Sequence, residues 1–91
     1  MKSRDHTEEM MARLFGSTSR SRILNLLLSR PQQTFYQREI MYDTGLSLQT
    51  VQRELENLLH LGILKKQETK ARVYYQVDMT SPWFQALQRD L

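Results

Sequence analysis

Cysteine is absent from the 91 residues, which excludes disulfides, thiolate metal sites and a cysteine nucleophile. No run of about 18 apolar residues occurs, so no helix is expected to span a membrane. The opening Met1-Lys2-Ser3-Arg4-Asp5-His6 leads into no continuous apolar stretch; a secretory signal is not expected, and a cytoplasmic location follows as the default. There is no glycine-rich phosphate loop, no nucleophile elbow, and no histidine that pairs with a carboxylate and a nucleophile. Glu54 and Glu56 lie two apart on a helical stretch and point to different faces, so they do not form an acid/base pair. His6 and His60 are far apart and lack companion ligands. Catalysis, metal and cofactor therefore have little in their favour, and none is expected.

What is present is a small, mildly basic chain with formal net charge +3 and pI about 9.5. That is compatible with a nucleic-acid partner but does not require one. A chain of this length is read as one domain spanning residues 1–91, with residues 1–6 frayed. It buries only about 60–65% of its unfolded surface, so a partner subunit would help it.

With only three glycines and two prolines, each one marks a boundary. Gly45 sits where one helix ends, and Ser47 is placed to cap the next, its hydroxyl accepting from an early backbone N–H. Leu48, Val51, Leu55, Leu58 and Leu59 recur at helical spacing and define an apolar face. The opposite face carries Gln49, Thr50, Gln52, Arg53, Glu56, Asn57 and His60. Glutamine pairs with adenine through two hydrogen bonds, arginine with guanine, and the threonine methyl meets a thymine methyl. A solvated polar face on an ordinary surface helix is the competing reading, and the surrounding order of elements argues against it.

Taken in order, Thr7 caps a first helix with Met10, Met11, Leu14 and Phe15 on its apolar side, ended by Gly16. Ser17 or Thr18 caps a second, through about Ser29, with Ile23, Leu24, Leu27 and Leu28 as its core stripe. Arg20 and Arg22 lie near its start, where cations oppose the helix dipole; a phosphate nearby would offset that, and plain solvation is the alternative. Pro31 closes it. Residues 32–35 read as a loop and a short extended piece. Tyr36 or Gln37 opens a third helix through about Asp43, with Ile40 toward the core, Met41 or Tyr42 beside it, and Gln37 and Arg38 outward. After Gly62, two strands form a hairpin around a tip at Thr69-Lys70-Ala71, with Val73, Tyr75 and Val77 on one face. Its tip region holds Lys65, Lys66, Lys70 and Arg72 against Glu68. That suits a phosphate backbone or minor groove; lysines that block edge-to-edge pairing are the alternative. Ser81-Pro82 begins a last helix carrying Trp83, Phe84, Leu87 and Leu91, whose two large aromatics are either core or an interface anchor.

This order, with Leu14-Phe15-Gly16-Ser17, Arg22-Ile23-Leu24, Phe35-Tyr36-Gln37-Arg38-Glu39-Ile40, Thr44-Gly45-Leu46-Ser47, Val51-Gln52-Arg53-Glu54-Leu55 and Arg72-Val73-Tyr74-Tyr75, resembles an ArsR-like winged helix-turn-helix domain over nearly the whole chain. The resemblance implies a mainly α fold with a small β-hairpin wing, and a DNA-binding transcriptional regulator that is usually a homodimer joined through its terminal helices. It places Ser47, Gln49, Thr50, Gln52 and Arg53 in the major-groove segment, and Lys70 and Arg72 in the wing. Asn57, Arg20, Arg22 and Gln37 complete the expected DNA-binding set. Met10, Met11, Leu14, Trp83, Phe84 and Leu87 form the expected dimer interface. Metal-sensing members use thiols before the recognition helix or Asp/His sets on the last helix. Here the former reads Arg38-Glu39-Ile40-Met41-Tyr42, and the last helix has Asp90 but no histidine, so metal sensing is not expected. Repression is favoured over activation for so short a chain. The alternative is a winged helix that docks a protein, a nucleotidyltransferase-type partner, since related domains are sometimes fused to or encoded near one.

Overall fold

The computed structural model describes residues 18–89, with side chains through Leu87. The expected first helix, with Met10, Met11 and Leu14, lies outside the described residues, as do His6, Asp90 and Leu91. Helix α1 runs Thr18–Ser29, strand β1 Phe35–Tyr36, helix α2 Gln37–Thr44, helix α3 Leu48–His60, strand β2 Leu64–Glu68, strand β3 Val73–Val77 and helix α4 Pro82–Arg89. This is a winged helix-turn-helix.

Helix α1 buries the stripe Ile23, Leu24, Leu27 and Leu28, as the i, i+1, i+4, i+5 spacing requires. Those side chains meet Ile40 of α2, Val51, Leu55 and Leu58 of α3, Ile63 just before β2, and Phe35, Leu64, Tyr75 and Val77 from the sheet in one apolar cluster. Met41, not Tyr42, packs against it beside Ile40; Tyr42 is 86% exposed.

The turn between α2 and α3 is built from three local features. Gly45 adopts φ 74°, and its N–H donates to the Met41 carbonyl at 2.8 Å. A side chain is disfavoured in that left-handed region. The Thr44 hydroxyl donates to the Ile40 carbonyl at 2.6 Å and accepts from the Leu46 N–H at 3.3 Å. Ser47 caps α3, its Oγ accepting from the Thr50 N–H at 3.2 Å. The far end of α3 closes on Gly62, φ 81°, with Gly62 N–H donating to Leu59 and Ile63 N–H to Leu58.

The sheet has three antiparallel strands in the order β1-β3-β2. The expected hairpin is therefore extended by β1, whose Phe35 and Tyr36 stand opposite Tyr75 and Tyr74. Thr69 closes the hairpin tip: its N–H donates to the Arg72 carbonyl at 2.8 Å, and its hydroxyl accepts from the N–H groups of Ala71 and Arg72. Of the expected apolar row on β3, Tyr75 and Val77 are buried but Val73, nearest the tip, is 37% exposed. Leu48 departs in the same way. It shares the angular face of Val51 and Leu55, but as the first helical residue it lies past the end of the core and is 44% exposed.

Helix α4 starts as its Ser-Pro pair indicates, with Ser81 Oγ accepting from the Trp83 N–H at 3.1 Å. Phe84 and Leu87 keep only 6% and 0% of their surface exposed within the chain itself. Of the two readings of this helix, core or interface, both side chains take the first within a single chain. Trp83 is only partly buried against the same cluster. No described helix is long and apolar enough to cross a membrane.

Candidate nucleic-acid interface

The exposed side of α3 carries Gln49, Gln52, Arg53 and Glu56, flanked by the partly buried Thr50 and Asn57. Val51, Leu55 and Leu58 are drawn into the core, which leaves this polar row facing water. Ser47 is exposed but engaged, since its hydroxyl caps the helix and also donates to Thr50 Oγ1 at 2.9 Å. No side chain of the described residues covers Gln49, Gln52 or Arg53, whose side chain is 62% exposed.

The same helix holds a buried acid that its spacing did not mark as core. Glu54 is 2% exposed. Its Oε1 accepts from Arg20 Nε of α1 at 2.7 Å and from Asn57 Nδ2 at 3.5 Å. Its Oε2 lies 3.5 Å from Arg53 Nε. Burial alone pushes this carboxyl up, but the hydrogen bonds from Arg20 and Asn57 and the charges of Arg20 and Arg53 outweigh it and hold its pKa below the ordinary glutamate value. A buried carboxylate is tolerable only with such partners.

That pairing changes the reading of Arg20. Expected at a phosphate, it instead crosses from α1 to α3, with a side chain 21% exposed. Arg22 remains exposed, but its Nη1 donates to the Thr44 carbonyl at 3.3 Å. A cation there satisfies an end-of-helix acceptor of α2. Gln37, the first residue of α2, is half-buried, and Arg38 beside it is exposed.

In the wing, Lys65, Lys66, Lys70 and Arg72 are all exposed; Lys66 Nζ stands 3.8 Å from Glu68 Oε2. Arg72 is held in place. Its Nη1 donates to Tyr36 Oη at 2.6 Å, and its guanidinium carbon lies 5.2 Å from the centre of the Tyr36 ring. Tyr36 in turn packs against Tyr74, ring centres 4.9 Å apart and hydroxyls 3.3 Å apart. The Tyr74 hydroxyl and Arg72 hold the Tyr36 phenol below its ordinary pKa. Glu39 is occupied by the Tyr36 N–H at 2.8 Å. The tyrosine pair was not singled out from the sequence. Tyr74 was legible only as the outward neighbour of Tyr75, and nothing indicated that Tyr36 would stand across from it. An open groove of about 420 Å³ runs between Tyr36, Arg38, Glu39, Arg72 and Val73.

The described residues thus present a polar helix face and a cationic wing, with the wing arginine fixed to the residue that opens α2. Among them, no three of His, Cys, Asp and Glu lie together in a way that would hold a metal ion.

No family model and no curated protein matches the sequence. Solved structures do match the fold. A predicted DNA-binding transcriptional regulator from E. coli superposes with TM-score 0.66 at 17% identity, over 99% of this chain and 95% of that one. A possible transcriptional regulator from Methanosarcina mazei gives TM-score 0.68 at 16% identity, over 91% of this chain and 74% of the other. The homodimeric winged helix-turn-helix DNA-binding domain of a possible ArsR-family regulator from Mycobacterium bovis gives 0.63 at 22% identity, over 99% and 85%.

Proposed function

We propose that this chain is a sequence-selective double-stranded DNA-binding transcriptional regulator, a repressor acting as a homodimer rather than an enzyme. The observation that carries the reading is the uncovered polar face of α3, with Gln49, Gln52 and Arg53 exposed beside a wing whose Lys70 and Arg72 are exposed too. The helix would lie in a major groove, where glutamine and arginine read base edges. The wing would lie on the backbone or in the minor groove. Ser47, Thr50, Asn57, Gln37 and Arg22 border this surface as further contacts. Two of the solved structures of this fold, from E. coli and Mycobacterium bovis, are described as DNA-binding, the second as a homodimer, which supports the reading by analogy of fold.

Two subunits would be related by a two-fold axis, with Trp83 at the interface and Met10, Met11 and Leu14 as the contribution of the N-terminal segment. The operator would be an inverted repeat with half-sites roughly 34–36 Å apart. Selection of bound duplexes from a random pool, at two salt concentrations, tests this. The expected result is an enriched inverted repeat whose affinity falls steeply with salt, by roughly 0.9 log unit per log unit of salt for each phosphate neutralised. No duplex affinity at low salt would overturn the reading and favour a protein-docking role.

A further inference from the structure

We infer that Glu54 is a positioning residue for Arg53, and that it decides which edge of the Arg53 guanidinium reads a base; this rests on the DNA-binding reading above. Neighbouring residues on a helix point about 100° apart and do not ordinarily face each other. Arg53 and Glu54 nevertheless approach, because the Arg53 side chain turns its Nε back to within 3.5 Å of Glu54 Oε2. The two carboxylate oxygens serve two directions. Oε1 is tied inward by Arg20 of α1 at 2.7 Å and by Asn57 at 3.5 Å, and Oε2 faces the exposed arginine. Glu54 is buried at 2% exposure, whereas the Arg53 side chain is 62% exposed. A buried, cross-tied anion thus sits at the root of an exposed cation.

The consequence is chemical. A guanidinium offers guanine two hydrogen bonds either side-on, through Nε and one terminal nitrogen, or end-on, through both terminal nitrogens. With Nε on the carboxylate's side, in an ion pair at 3.5 Å, the two terminal nitrogens, the end-on fork, are the ones left for a base. No other partner of Arg53 occurs among the described residues. The fork is therefore aimed before any duplex arrives, which reduces the side-chain freedom lost on binding. Arg20 has a part in the same device: by fixing Oε1 from another helix, it stops the carboxylate from following Arg53 outward.

The test is a double-mutant cycle on the full chain. Glu54→Gln and Arg53→Ala are compared, singly and together, on a selected duplex and on the same duplex altered at the base pair whose preference Arg53→Ala relaxes. The expected result is a loss of roughly tenfold in that preference for Glu54→Gln, absent when Arg53 is already alanine. Equal losses by Glu54→Gln in both backgrounds would overturn the inference while leaving DNA binding intact. A wild-type chain that binds no duplex would overturn both. A second measurement needs neither variant nor DNA: the Arg53 Nε–Hε resonance of the free protein, followed as acid protonates Glu54. It should shift with that titration, and a resonance indifferent to it would overturn the inference.

Discussion

Arg72 Nη1 and Tyr36 Oη stand 2.6 Å apart, joining the wing to the residue that precedes α2. Thirty-six positions separate them in sequence, so the bond exists only because β1 pairs with β3. If the tyrosine hydroxyl acts by holding Arg72 against a phosphate, Tyr36→Phe should weaken duplex binding a few-fold, roughly, without altering sequence preference. The Tyr36→Phe/Arg72→Ala double variant should be no weaker than Arg72→Ala alone, because the two act as one unit. Equilibrium titration of one duplex with the three variants checks this; additive losses would separate the hydroxyl from Arg72.

Arg53→Ala and Lys70→Ala should differ in kind. The first should cost about 1–3 kcal/mol on the preferred site and relax one base preference. The second should weaken all duplexes alike and flatten the salt dependence by about one unit. If Arg53→Ala binds every duplex more weakly with preferences unchanged, Arg53 is a phosphate contact.

Acid should reveal the buried carboxylate. The pKa of Glu54 in the folded chain lies below the ordinary value of 4.5 that the unfolded chain restores. Its contribution to stability is therefore complete above that ordinary value and disappears as pH falls through the lower folded one. Urea midpoints should show wild type exceeding Glu54→Gln by more at about pH 7 than at about pH 3. A gap independent of pH would mean that the charge is not what stabilises. Glu54→Ala should cost less than the roughly 3–5 kcal/mol of a fully buried broken pair, because Arg20 keeps 21% of its side chain in water.

Leu87→Ala should destabilise each subunit by roughly 2–5 kcal/mol, as a methylene-rich side chain lost from a packed core does. Trp83→Ala addresses association instead: sedimentation should show lower mass with a folded circular-dichroism spectrum. An unchanged mass would place Trp83 outside any interface.

Gly45→Ala should lower stability by roughly 1–2 kcal/mol, the cost of a side chain in the left-handed region. Space is not the cause, since nothing lies within 4 Å of where the new carbon would sit. Thermal melting measures it, and an unaltered melting temperature would show that the turn relaxes out of that conformation.

Local signals were legible in the sequence. Gly45, Ser47 and Gly62 marked the ends of helices because backbone conformation and capping are properties of a few adjacent residues. The polar row of α3 was legible from its 3.6-residue period. Contacts between distant segments were not. Arg20 read as a phosphate ligand because its acceptor lies thirty-four positions away in a residue, Glu54, whose charge suggested an exposed site. Periodicity gave Leu48 the same standing as Val51, since it reports angle around a helix and not position along it. Phe84 and Leu87 looked like interface anchors for a related reason: apolar spacing says that a face is covered, but not whether by its own chain or another.

The strand order β1-β3-β2 has a mechanical corollary. Because the outermost strand of the finger is not the one stitched to the start of α2, the central strand carries the load, and the finger cannot swing away from the reading head without parting backbone pairs. On the proposed function, accommodation then falls to the duplex. Pyrimidine–purine steps, which kink at low cost, should be enriched between the two contact points even where no side chain reaches a base.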